Sequence, residues 1–143
     1  MQWRGPVRIV LDTNILVSAL LSPDGPPGRL LAALKHDRVT LVTSIAQLSE
    51  LRVVLSREHL RADIPPEDAE DLLAGLEVVG EVVTDLPPVT LSPDPDDNLI
   101  LAAAISGRAD LVVSGDKRHM LALGQVGDIP ILTASAAAAL LHV

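Results

Sequence analysis

Short β-like apolar runs alternate along this chain with segments of helical period. Val7-Arg8-Ile9-Val10-Leu11, rich in β-branched residues and bounded by Pro6 and Asp12, predicts a first strand. A helix follows from Thr13 to about Leu21 and stops at Ser22-Pro23-Asp24-Gly25-Pro26-Pro27. Gly28 to His36 predicts a second helix and Val39 to Thr43 a second strand. Ser44 opens the next helix, with Gln47 three residues on in a capping-box pattern and Ile45, Leu48, Leu51 and Leu55 as its apolar face. Pro65-Pro66 starts an acidic helix running to about Glu77, and Val78 to Thr84 predicts a short strand. Asp96 to Ser106 is a helix ended by Gly107, Leu111 to Val113 a buried-type strand, Ile129 to Thr133 the last strand and Ala134 to Leu141 a terminal helix. Alternation of this kind predicts an α/β domain around a mostly parallel sheet.

Composition narrows the chemistry. The 143 residues suggest one domain, and 48% of them are apolar, yet Phe and Tyr are absent and Trp3 is the lone aromatic. The core is therefore expected to be aliphatic. The absence of cysteine excludes disulfides, thiolate metal sites and Cys nucleophiles. No apolar run approaches the ~20 residues of a membrane span, and Asp12 interrupts any early signal-like stretch, so a cytoplasmic protein is expected.

The net charge of −8 argues at first against a nucleic-acid partner. It is unevenly spread. Residues 1–61 hold eight bases and five acids, whereas residues 62–107 hold eleven acids and no base. Arg29, Lys35, Arg38, Arg52, Arg57, Lys117 and Arg118 are the candidate phosphate contacts.

Several acids fall where a site is expected. Asp12 ends the first strand and Asp116 follows the Leu111–Val113 strand, and ligands of open parallel sheets bind beyond the carboxyl ends of strands. Each also has a purely structural role open to it, Asp12 as a helix N-cap and Asp116 as a turn residue. Asp94-Pro95-Asp96-Asp97 makes a good helix start, but three carboxylates in four residues exceed what one helix end needs. Glu50 has Ala46, Val53 and Val54 as helical neighbours, which places it on or beside a buried stripe. A carboxylate there requires a metal or an ion pair, for which Arg57 is the candidate. Phosphate-loop, dinucleotide and nucleophile-elbow motifs are absent, and His36, His59, His119 and His142 show no ligand spacing and read as surface residues. Ligation by carboxylates alone favours Mg²⁺ or Mn²⁺ and suits metal-assisted phosphodiester hydrolysis.

These segments together resemble a family. Val10-Leu11-Asp12-Thr13-Asn14 resembles the opening motif of the PIN-domain ribonucleases, and Leu48-Ser49-Glu50-Leu51 resembles the helix bearing that family's glutamate. Asp94 to Ala104 resembles the third motif, with Asp97 as its acid, and Val112-Val113-Ser114-Gly115-Asp116-Lys117 resembles the fourth. The similarity runs from about Val7 to Leu132 and is specifically to the PIN toxins of prokaryotic toxin–antitoxin systems. It implies a three-layer α/β/α fold with a central, mostly parallel sheet. It further implies a Mg²⁺- or Mn²⁺-dependent endoribonuclease acting on single-stranded RNA, a homodimer and a partner antitoxin. By position, Asp12, Glu50, Asp97 and Asp116 would be the catalytic and metal-binding acids, with Asn14 and Ser114 orienting acids or substrate. Ser114 stands where Thr is commoner, and His119 where many relatives carry a further acid. The alternatives are a catalytically silent PIN-like interaction module and a phospho-acceptor receiver domain. The second is disfavoured because Thr13, not a second acid, follows Asp12 and because the second strand ends at Thr43.

Overall fold

Period-two alternation decides how the first strand, β1 (Val7–Leu11), sits in the computed structural model. Ile9 and Leu11 face one side of the sheet, and Val10 faces the other; all three are essentially inaccessible to solvent. Strands covered on both faces are the mark of a parallel sheet flanked by helices. The structure describes residues 5–36 and 38–143, so Trp3 lies outside it.

The remaining elements follow as α1 (Thr13–Leu21), α2 (Pro26–Leu34), β2 (Val39–Ser44), α3 (Ile45–Leu55), α4 (Glu58–Arg61), α5 (Pro66–Val79) and β3 (Glu81–Val83). Then come α6 (Pro95–Ser106), β4 (Leu111–Val113), α7 (Met120–Leu123), β5 (Gln125–Val126), β6 (Ile129–Leu132) and α8 (Ala134–Leu141). The six strands lie in the order β3-β2-β1-β4-β6-β5, and every pairing is parallel except β5 with β6. Side chains of α1, α2, α3, α5 and α8 cover the face of Ile9, Leu41 and Leu111, while α6 and Met120 of α7 cover the face of Val10, Val42 and Val112. The expected three-layer α/β/α architecture is therefore present. Both cores are aliphatic, so their stability rests on many Leu, Ile and Val side chains worth about 1.5–3 kcal/mol each when fully buried.

The chain runs outward from β1 through β2 to β3, then returns to place β4 on the other side of β1. The crossover direction thus reverses between β1 and β4, and that is where an open α/β sheet leaves a crevice. Two close approaches hold the layers in register. A Cβ on Gly28 would lie 2.0 Å from the Pro23 carbonyl oxygen, and one on Gly107 would lie 2.3 Å from Val42 Cγ1. Arg8 ties the sheet to the turn after α6, donating to the Gly107 carbonyl and to Glu81 Oε2.

Several boundaries differ from expectation for local reasons. The second helix starts at Pro26, because consecutive prolines fit the first helical turn, where no amide donor is needed. Val78 and Val79 extend α5 instead of opening β3, and Gly80 caps that helix. Leu48, Leu51 and Leu55 of α3 are core residues, whereas Leu31 and Leu34 of α2 line an apolar groove of about 290 Å³ with α5. Among the described residues no helix is long and apolar enough to cross a membrane.

Candidate metal centre

Asp12 is placed by β1 and held by three contacts. Its amide donates to the Val113 carbonyl (2.9 Å), its Oδ1 accepts the Thr13 amide (2.8 Å), and its Oδ2 accepts the Ser114 hydroxyl (2.7 Å). The same carboxylate therefore caps α1 and is locked toward the end of β4. Ser114 is completely buried, and its oxygen in turn accepts the Asp116 amide (3.1 Å). Asp116 Oδ1 accepts the amides of Arg118 and His119, a tight turn that leaves Oδ2 free to face the His119 ring.

From the other side, Asp94 caps α6 through the Asp96 amide, with Pro95 at the first helical position. The buried Asp97 is gripped by Ser92, whose hydroxyl donates to Oδ2 (2.8 Å). Asn98 fixes Ser92 with two bonds, accepting its amide and donating to its carbonyl. Ser92 has no counterpart in the sequence reading; its signal, a hydroxyl five residues before an acid at a helix start, is too common to stand out. Sequence spacing shows Gln47 only as part of a capping box and misses its further role. Its amide donates to Ser44 Oγ as half of a capping box, but its side chain reaches the Leu11 carbonyl and accepts from Thr43, tying the ends of β1 and β2 together.

Asp12, Glu50, Asp97 and Asp116 line one cleft of about 480 Å³, joined by Asp94, Asp96, Thr13, Asn14 and Arg57. Asn14 is exposed at the rim and makes no side-chain hydrogen bond among the described residues. Glu50 does not sit on a buried stripe, since Val53 is 62% exposed; it is half-buried, with the cleft in front of it. The proposed ion pair with Arg57 is not formed among the described residues, although both side chains border the same space. Arg52 is engaged elsewhere, with Glu70 of α5 at 2.6 Å. His119 is not a plain surface residue: it joins Asp97 and Asp116 in a group whose ligand atoms all lie within 4.8 Å of one another.

The electrostatics are those of an uncompensated acidic site. Burial pushes the Asp12 carboxyl up to about 6 from an ordinary 3.8, against the opposing hydrogen bonds from Ser114 and Thr13; the charges of Asp97 and Glu50 raise it further. Burial also comes first in raising Glu50 and Asp97, with neighbouring carboxylates adding to it. Desolvation, rather than the mutual repulsion that crowding alone suggests, is thus the leading cause. The Thr13 hydroxyl is close enough to Glu50 to lower it somewhat without meeting hydrogen-bond geometry. It is also the one buried side-chain polar atom among the described residues that lacks a partner.

One consequence is measurable. Asp12 has a higher pKa folded than unfolded, so its contribution to stability is complete below about pH 4 and disappears as pH rises through about 6. The separation of about two pH units is worth about 3 kcal/mol. Urea unfolding in EDTA at pH 4.5 and 7.5 should therefore show a steeper loss of stability in the parent protein than in Asp12→Asn. Equal slopes would count against a strongly desolvated Asp12.

Donor chemistry fits a cation here: carboxylate oxygens, one imidazole, an orphaned buried hydroxyl and raised carboxyl pKa values that a positive ion would reverse. An open parallel sheet with acids gathered at its crossover reversal defines an α/β domain built around a candidate centre for a divalent cation. Residues 8–118 match the model of the PIN domain, and the chain belongs to that family. It is 27% identical to an uncharacterized protein of Methanocaldococcus jannaschii over 112 residues, 78% of this chain and 72% of that protein. Its fold is similar to a chain of VapBC2 from Rickettsia felis, solved bound to a DNA fragment from their promoter. That match has a TM-score of 0.56 at 17% identity and covers 89% of this chain and 98% of the other.

Proposed function

We propose that this protein is a divalent-metal-dependent endoribonuclease that hydrolyses single-stranded RNA, acting in the cytoplasm as the toxin of a toxin–antitoxin pair. The observation that carries the reading is the convergence of Asp12, Glu50, Asp97 and Asp116 on one cleft at the ends of β1 and β4. A scaffold that only binds partners has no use for four converging acids, three of which (Asp12, Glu50 and Asp97) are raised by burial at a cost to its own stability.

In this reading Asp12, Asp97 and Asp116 hold Mg²⁺ or Mn²⁺, and Glu50 borders a second, weaker position. Bound there, a divalent cation supplies Lewis acidity, which activates water and offsets charge on the leaving oxygen. Ser114 and Ser92 would keep the Asp12 and Asp97 carboxylates aimed and charged, each by donating its hydroxyl to Oδ2. Arg57, at the cleft edge, meets a phosphate, and Asn14 meets the substrate strand at the rim. Among the described residues no Phe, Tyr or Trp lines the cleft, so recognition depends chiefly on polar contacts and backbone shape. The partner antitoxin and a homodimer are part of the proposal; the likeness to VapBC2 supports the first.

Water attacks phosphorus in line and the 3′ oxygen leaves, so the products carry 5′-phosphate and 3′-hydroxyl ends. Incubation of end-labelled RNAs with Mn²⁺, with Mg²⁺ and with EDTA should give cleavage in the first two only. Cleavage that persists in EDTA, or products ending in 2′,3′-cyclic phosphate, would overturn the mechanism.

A further inference from the structure

We propose that His119 is a direct nitrogen ligand of the cation in this cleft, so that the site prefers Mn²⁺ to Mg²⁺. The inference rests on the metal-dependent reading above and adds to it which cation the site selects.

Spacing carries the argument. His119 Nδ1 lies 3.9 Å from Asp116 Oδ2, too far for a hydrogen bond and an ion pair only when the ring is protonated. Two donors each about 2.1–2.2 Å from one ion are separated by at most about 4.3 Å, so this pair spans a single cation. Asp97 completes the group, since all three donor atoms fall within 4.8 Å of each other. Closing onto one octahedral ion, where neighbouring donors lie about 3 Å apart, then requires each to move by up to about 1 Å, within the reach of a side-chain torsion.

The backbone that carries the ring is also held. The His119 amide donates to Asp116 Oδ1 at 3.2 Å, and the Arg118 amide donates to the same oxygen at 3.0 Å. Backbone and carboxylate are thereby fixed together, and Asp116 Oδ2 and the imidazole are left turned toward each other. A separate observation points to a ligand in the same cleft. Thr13, 4% exposed and lining that space, has a buried hydroxyl that lies near Glu50 yet completes no well-formed hydrogen bond. A cation with its water shell would give that hydroxyl an acceptor or donor on the Asp12 side.

Nitrogen in the ligand set changes selectivity. Mg²⁺ strongly favours oxygen donors and gives up water reluctantly, whereas Mn²⁺ accepts imidazole alongside carboxylates. Replacing an acid by His119 at this position thus moves the site from an all-oxygen set to a mixed one.

Pulsed EPR on Mn²⁺ bound to the full chain tests this directly, together with calorimetric titration of Mn²⁺ and Mg²⁺. The parent protein should show ¹⁴N modulation of a coordinated imidazole, and His119→Gln should lose it. His119→Gln should also lower Mn²⁺ affinity by about tenfold or more with little change for Mg²⁺, and His119→Asp should shift the preference toward Mg²⁺. Bound Mn²⁺ without a ¹⁴N signal, or an unchanged Mn²⁺/Mg²⁺ ratio in His119→Gln, overturns the nitrogen ligand and leaves the nuclease reading standing. Absence of any divalent binding in the parent, or binding unaffected by Asp97→Asn, overturns both.

Discussion

Asp12→Asn should reduce RNA cleavage by at least about 10³-fold, equivalent to ~4 kcal/mol of barrier, while making the metal-free protein more stable at neutral pH. The two effects have one cause. Asp12 is nearly inaccessible to solvent, and its carboxyl is pushed up to about 6 by burial ahead of any other influence. At pH 7.5 the folded metal-free protein therefore holds a charge in a place that disfavours it. Asn removes that charge yet keeps the shape: its oxygen still accepts the Thr13 amide, and its amino group can donate to Ser114 Oγ. The gain is capped near 3 kcal/mol, the full separation between folded and unfolded titration. Thermal melts in EDTA run beside cleavage assays in Mn²⁺ check both halves. Loss of cleavage accompanied by a lower melting temperature would show a structural role for Asp12; retained cleavage would remove it from the site. Addition of Mn²⁺ should raise the melting temperature of the parent and leave that of the mutant nearly unchanged.

The largest structural effect is expected at Gly28. By helix propensity alone, alanine at this position of α2 should stabilise by about 1 kcal/mol. Sterics point the other way, because the added Cβ would lie 2.0 Å from the Pro23 carbonyl oxygen and 2.3 Å from its carbon. These are backbone atoms in the segment linking α1 to α2, so relief requires the helix itself to shift. Overpacking of this kind costs about 1–3 kcal/mol and more when backbone must move, so the net loss should exceed about 2 kcal/mol. A drop in melting temperature of roughly 4–8 °C follows for a chain of this size. Gly75→Ala on α5 is the matched control. Its Cβ would meet nothing within 4 Å, so there propensity acts alone and the melting temperature should rise. A rise in both variants would mean that α2 approaches Pro23 less closely than described.

Strands buried on both faces were readable because β4 is an unbroken aliphatic run and β1 and β2 are rich in β-branched residues, interrupted only by Arg8 and by hydroxyl residues, and α6 because Asp94-Pro95 is a strong helix start. Their order in the sheet positions the carboxyl ends of β1 and β4 side by side, so Asp12 and Asp116 could be placed from pattern alone. Other elements carry no period to read. Four residues in α4 and in α7, and two in β5, span about one repeat of the signal, too little to show a period. Val78 and Val79 misled because β-branched residues favour strands, yet α5 continues through them to Gly80. Within the site, Ser92 and Gln47 act through bonds that cross between elements, which sequence spacing does not encode. His119 is different. An Asp-x-x-His spacing after a strand was visible, and it acquires meaning only when Asp116 accepts the amides two and three residues on and bends the ring back toward Asp97.

The margins of the sheet bear on behaviour at high concentration. One edge is the three-residue β3, where exposed Glu81 is paired with Arg8, and the other is the two-residue β5. An incoming strand from another copy would find almost no ladder to extend and a charged side chain at one of the two places it could begin. Edge-to-edge strand pairing between copies, the route to fibres, is thereby disfavoured in the native protein.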